Sequence, residues 1–148
     1  MMGDMGVSCD TWDSISSTVL VIVGIANVIP LRNLIQYMCA PSYDCYGVTV
    51  TDKNLAILIL HRWVLFGVLG CFWIYASLKP ALHGIGLLTS AISVISILWI
   101  ALAVGHYNDQ FSYALGFDLV LLICILIGTV AFYNQCLENY VEYSTCHL

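Results

Sequence analysis

The chain has 148 residues, of which 61% are hydrophobic and only 9% charged. Soluble domains carry about 25% charged residues, so a soluble globular fold is excluded and a membrane protein is indicated. Four Lys and Arg against nine Asp and Glu leave a net charge of −5. That provides neither the basic surface that binds nucleic acid nor a polybasic stretch for anionic lipid.

Residues 1–13 read as a polar, acidic tail with Asp4, Asp10 and Asp13 and no Lys or Arg. The charged n-region of a signal peptide and the Arg-rich character of a transit peptide are both missing. Either the first hydrophobic segment is its own insertion signal, or a targeting segment is absent from this sequence. That first segment is predicted over 15–38. Its apolar run from Ser14 to Ile29 meets Pro30, after which Leu31, Leu34, Ile35 and Met38 repeat at helical spacing. Proline removes a donor and clashes with the preceding turn, so helix one is expected to kink or break there. Asn27 is placed to satisfy backbone groups that the proline frees.

Residues 39–53, CAPSYDCYGVTVTDK, form the one turn-rich loop. Cys39 and Cys45 flank it and are candidates for a disulfide if the loop faces an oxidising compartment. Cys71 and Cys124 lie in apolar runs as small packing residues. No C-x-x-C occurs, which removes thioredoxin-like and zinc-ribbon readings.

Helix two is predicted over 54–78, with Thr51 or Asp52 as its N-cap. Lys79-Pro80 reverses the chain, and so short a linker makes helices two and three an antiparallel hairpin. Helix three is predicted over 81–105, with Gly86, Ser90, Ser93 and Ala101 close to one face as a packing seam. Helix four is predicted over 113–133, capped by Ser112, with Cys124 and Gly128 as a small-xxx-small pair. Residues 134–148 read as a second polar tail, in which Leu137, Tyr140 and Val141 suit a short interfacial helix. Trp12, Trp63, Tyr75, Tyr107, Tyr113 and Tyr133 fall near span ends, as an aromatic belt would. The fold class is therefore all-α: a single-domain integral membrane bundle of four antiparallel helices.

Arg62 sits inside the second apolar run, where a fixed cation costs about 2.5–3.5 kcal/mol on insertion scales. Counted from Asn54 it lies eight residues in, ~12 Å along the axis, and Asp118 lies six residues beyond Ser112, ~9 Å. Alternating spans bring both to the same membrane side. The sequence thus predicts an Arg62–Asp118 ion pair with His61, His106 and Asn108 as hydrogen-bonding neighbours. Its role is either a clamp that fixes helix packing or the polar lining of a cavity for a headgroup, a quinone or a proton. His61 and His106 differ in depth, so no metal or haem site is expected. His83 and His147 are expected to be solvated.

Residues 46–82, YGVTVTDKNLAILILHRWVLFGVLGCFWIYASLKPAL, resemble a family of small four-span bacterial membrane proteins. The shared features are a Tyr-Gly loop, an Asp/Asn-Leu helix start, the His61-Arg62 pair, a Leu-Phe-Gly-x-Leu-Gly run and a Lys-Pro turn. VGHYND and GFDLVLLICILIG look like the same family's third-helix end and fourth helix, and the likeness covers roughly residues 17–133. Members are often labelled phosphopantetheine adenylyltransferase. That enzyme is a soluble nucleotide-binding α/β protein, and this chain has neither a parallel-sheet pattern nor an adenylyl-transfer His motif. The acidic N-terminus, the Cys39/Cys45 loop and the Cys-bearing tail depart from the family and look like surfaces for partners.

Phosphate loops, nucleophilic triads and H-E-x-x-H are all absent from the sequence, so no catalytic activity is expected. Two functions remain. One is a non-catalytic accessory subunit of a larger, energy-converting membrane complex, docking other subunits through its tails. It requires a filled bundle. The other is a lipid-, quinone- or proton-binding or transport protein, which requires an open cavity beside Arg62. The membrane is either a mitochondrial-type organellar inner membrane or a bacterial cytoplasmic one.

Overall fold

The computed structural model describes residues 5–39, 44–45, 48–50 and 52–146, with side chains for 11–36, 50 and 52–140. The order is α1 (Met5–Val28), α2 (Leu31–Cys39), β1 (Asp44–Cys45), β2 (Val48–Thr49), α3 (Lys53–Ser77), a 3-10 turn (Pro80–Leu82), α4 (His83–Val104) and α5 (Asp109–Cys146). The fold is all-helical apart from the two-residue antiparallel pair β1–β2. Four stretches are long and apolar enough to cross a membrane: Thr11–Gln36, Lys53–Ser77, Pro80–Val104 and Asp109–Tyr140. This is consistent with an integral membrane protein.

The chain punctuation explains the boundaries. Pro30 has no N–H to continue the ladder. The chain therefore turns at Ile29-Pro30, and α2 restarts with Arg32 N and Asn33 N bonded to the carbonyls of Ile29 and Pro30. Helix one is thus broken rather than merely kinked. Asn27 bonds the Val23 carbonyl at 2.9 Å, within its own turn, and not the Ala26 carbonyl whose i+4 donor Pro30 lacks. Asp52 caps α3, its Oδ1 accepting from Asn54 N at 2.7 Å and Leu55 N at 3.0 Å. Gly105 ends α4 in the left-handed region at φ 78°, where a Cβ would be strained.

Both tails differ from expectation. α1 already begins at Met5. α5 runs unbroken to Cys146, because no proline occurs anywhere in 109–146 and Gly128 is its last glycine. The separate interfacial helix over 137–141 is the continuation of α5. Its cap is Asn108, whose Oδ1 accepts from Phe111 N at 2.9 Å, not Ser112. Cys39 ends α2 and Cys45 lies in β1, but their side chains, and His147 altogether, lie outside the described residues.

α1 is the hub. It packs against α3 and α5, α5 also packs on α4, and α3 and α5 scarcely touch. The α1–α3 contact is closest at Gly24 and Gly70. A Cβ built on Gly70 would stand 2.6 Å from the Gly24 carbonyl oxygen, and one on Gly24 would stand 2.8 Å from that of Gly70. Small residues admit such backbone approach. The predicted seam on α4 is also present, with Gly86, Ser90 and Ala101 buried, but the tightest crossing lies elsewhere. On the other side of α1, Gly128 of α5 packs under Val19 and Leu87, and Ser16 donates to the Gly128 carbonyl at 3.2 Å.

The polarity of the molecule is inverted relative to a soluble fold. Ser16, Ser77, Ser90 and His83 are buried, while Ile57, Leu58, Leu88, Trp99 (72% exposed), Leu102 and Leu126 face outward. Tyr75, Tyr107, Tyr113 and Tyr133 are exposed as a belt requires, but Trp63 is buried. Trp73, at 0% exposure, centres the core with Leu20, Val23, Leu87 and Ile125, and its indole N–H donates to Thr89 Oγ1 at 3.0 Å.

The glycine crossing is directly testable. Gly70→Ala forces backbone apart and is expected to destabilise the detergent-purified protein by about 1–3 kcal/mol. Gly116→Ala, where nothing lies within 4 Å, is expected to leave stability unchanged or slightly raised. Thermal unfolding of the two variants side by side checks this.

Candidate functional site

α3 and α5 each pack on α1 and on α4 but scarcely on one another, and open space lies between α3, α4 and α5 near Pro30. Three cavities occupy it, and Arg62, Phe66 and Phe111 line all three. The outermost measures about 720 Å³ and is walled by Val50, Leu55, Ile59, Trp63, His106, Tyr107 and Asn108. A second, of about 430 Å³, runs along α4 past Ser93, Ser96, Ile97, Ile100 and Val104. The innermost, of about 140 Å³, reaches Asn27, Pro30, Ser93 and Asp118. The first two fall in the range of small-molecule sites, which are mostly apolar with a few placed polar groups.

The helix starts set the depth of the charges. Arg62 and Asp118 each lie ten positions past their caps, Asp52 and Asn108, ~15 Å along each axis. Equal depth brings them to one cavity. Among the described residues, however, no direct ion pair joins them, and the predicted contact is not made. The Arg62 guanidinium instead stands over the Phe66 ring, 4.9 Å from its centroid. Phe66 is four residues on, one turn further along the same face, and the ring quadrupole attracts the cation. Asp118 shares the innermost cavity with Arg62.

His106 and Asn108 border the outer cavity with Arg62. His61 does not join them: it is exposed and lines none of the three cavities. One residue step rotates it ~100° around α3 from Arg62. Tyr107 and Phe111 meet edge to face, with centroids 5.8 Å apart, and stiffen the rim. Among the described residues, no group of three or more His, Cys, Asp or Glu is placed to hold a metal ion.

A second polar cluster lies at the other end of α1, and it corrects the reading of His83. That side chain is fully buried rather than solvated. Its Nε2 faces the Ser77 carbonyl at 3.1 Å, so Nε2 is the donor, and Nδ1 faces Asp13 Oδ1 at 3.4 Å. The Nδ1 approach is not a hydrogen bond, and among the described residues His83 Nδ1 is buried without a hydrogen-bond partner. Gln135 Nε2 donates to the same Asp13 oxygen at 3.1 Å, Ser17 Oγ donates to the Ser77 carbonyl at 2.9 Å, and Trp12 Nε1 donates to Glu138 at 3.2 Å. The N-terminal turns of α1 are thereby tied to α3, α4 and the extension of α5.

Sequence spacing conceals this cluster, because every contact in it except His83 to Ser77 joins distant parts of the chain. Phe66 carries a usable signal, an aromatic at i+4 from a lone cation. No family model, characterised protein or solved structure matches the chain.

The two polar centres are expected to behave differently in double-mutant cycles read by thermal unfolding. Asp13→Ala with His83→Ala should show a coupling of about 0.5–3 kcal/mol, as contacting residues do. Arg62→Leu with Asp118→Leu should give losses closer to additive.

Proposed function

We propose that this chain is a non-catalytic, integral membrane protein of four antiparallel spans that binds a small amphipathic molecule in the cleft centred on Arg62. The observation that carries this reading is the convergence of three cavities on one guanidinium. An intramembrane cation beside an open, apolar-walled space is a functional-site hypothesis by default. A purely structural Arg62 would be expected in a filled bundle, paired to its acid. Here the guanidinium is supported by Phe66 and leaves its outward N–H groups to a ligand.

The antiparallel arrangement is supported by the pairing of α1 with α3. Ser17 meets Ser77, Gly24 meets Gly70, and Leu31 meets Gly67. The ligand class follows from the walls. Aliphatic and aromatic side chains suit an acyl chain or a quinone ring, and Arg62, His106 and Asn108 suit a polar head.

A second reading, an accessory subunit of a larger membrane assembly, draws support from one feature. α5 continues past the apolar stretch to Cys146, and Leu137 and Tyr140 are exposed at the end of that stretch. This reading predicts co-purifying protein chains that are lost when residues 137–146 are removed.

Purification from the native membrane, followed by mass spectrometry of the extracted small molecules, tests the binding reading. One amphiphile is expected to co-purify near stoichiometrically with the wild type and to fall about tenfold or more with Arg62→Leu, the loss of one charged hydrogen-bonded contact. Equal recovery from both proteins would contradict it.

A further inference from the structure

Resting on the binding reading above, we propose that the cleft selects a zwitterionic lipid, one with a phosphoethanolamine headgroup, holding its phosphate at Arg62 and its ammonium at Asp118. The order of charges along the cleft is the argument. Arg62 stands where all three cavities meet, and Asp118 lines only the innermost. The two do not pair directly, and the four other charged side chains described around this end, Arg32, Asp52, Lys53 and Asp109, line none of the cavities, whereas Arg62, though exposed, lines all three.

A ligand with a single negative charge would satisfy Arg62 and bring its anion towards Asp118. A ligand with a single positive charge would satisfy Asp118 and be repelled by Arg62. A molecule carrying both charges, anion outermost, meets each with its complement and keeps the cleft neutral in a low-dielectric setting. A planar guanidinium also suits a phosphate by bidentate hydrogen bonding.

Size sets the rest of the assignment. A chamber of about 140 Å³ has room for a few water-sized groups at ~30 Å³ each, which fits a two-carbon ammonium arm. Asn27 and Ser93 in that chamber offer further polar contacts. The outermost cavity, with His106 and Asn108 beside Arg62, takes the phosphate side of the head, and the apolar part of the ligand belongs to the cavity along α4. The cavity along α4 is bounded by Ile100 and Val104, which are also exposed on the outer face of the helix, so an acyl chain leaves it directly onto lipid-facing surface. That continuity favours a lipid over a soluble zwitterion.

The test uses the full chain in detergent micelles, with native mass spectrometry and titration of dioleoyl phosphatidylethanolamine, dioleoyl phosphatidylglycerol and free phosphoethanolamine. The wild type is expected to bind the ethanolamine lipid about tenfold more tightly than the glycerol lipid, the worth of one charge contact. Asp118→Asn should bring the two lipids to within about twofold, while Arg62→Gln should weaken both about tenfold and Arg62→Lys should recover part of that loss. Circular dichroism of each variant verifies that the helices are intact. Equal affinity for the two lipids in the wild type, or an unchanged preference in Asp118→Asn, would overturn the zwitterion assignment while leaving the binding reading in place. Displacement by free phosphoethanolamine at equal concentration would overturn the lipid assignment. Failure of the wild type to bind any amphiphile would overturn the binding reading itself.

Discussion

Two helices that pack on a third without packing on each other determine the character of this molecule. Gly24 and Gly70 draw α3 onto one side of α1 until the backbones meet. Gly128, with Ser16 and Val19, draws α5 onto another. For helices long and apolar enough to cross a membrane, lipid would supply little hydrophobic force to close the remaining gap, because an aliphatic side chain gains nothing by exchanging acyl chains for another helix. The gap is therefore decided by where small residues permit contact. They permit it along α1, and α1 stops at Pro30. Beyond that point α2 packs on α3, and the cleft lies between α3, α4 and α5.

The two ends of the molecule use polar groups in opposite ways. Around His83 the hydrogen bonds knit α1, α3, α4 and α5 together, although among the described residues His83 Nδ1 and Gln135 Oε1 are buried without a hydrogen-bond partner. Around Arg62 the charges face open space and do not meet. A cation and a carboxylate that share a cleft without pairing are costly in an apolar medium, and a ligand carrying both charges would offset that cost. The cation–π contact with Phe66 offsets part of the cost of Arg62 while leaving the guanidinium edge available.

Much of the architecture is legible in the sequence because it depends on local chemistry. Four apolar runs of sufficient length, the break at Pro30, the Asp52 cap and the Lys79-Pro80 reversal each need only neighbouring residues. The two tails are not legible, since a polar segment without proline or glycine can extend a helix or fray, and α5 extends. At the site, helix depth is the legible part: Arg62 and Asp118 line one cavity, with His106 and Asn108 bordering the space outside it. Depth carries no information about rotation, so it neither separates His61 from the cluster nor shows that the ion pair is not closed. His83 defeats a sequence reading because its neighbours Asp13 and Gln135 come from the chain's two ends, and a histidine at a helix start looks the same whether solvated or enclosed.

The central claim is that Arg62 and Asp118 share a cleft without closing on each other. Solid-state NMR dipolar recoupling between Arg62 side-chain ¹⁵N and Asp118 carboxyl ¹³C, in bilayers and with Arg32→Lys to make the arginine label unique, measures this directly. The account predicts no dephasing at the ~4 Å separation of a salt bridge. Strong dephasing at that distance would show a closed pair and a filled bundle, and would contradict it.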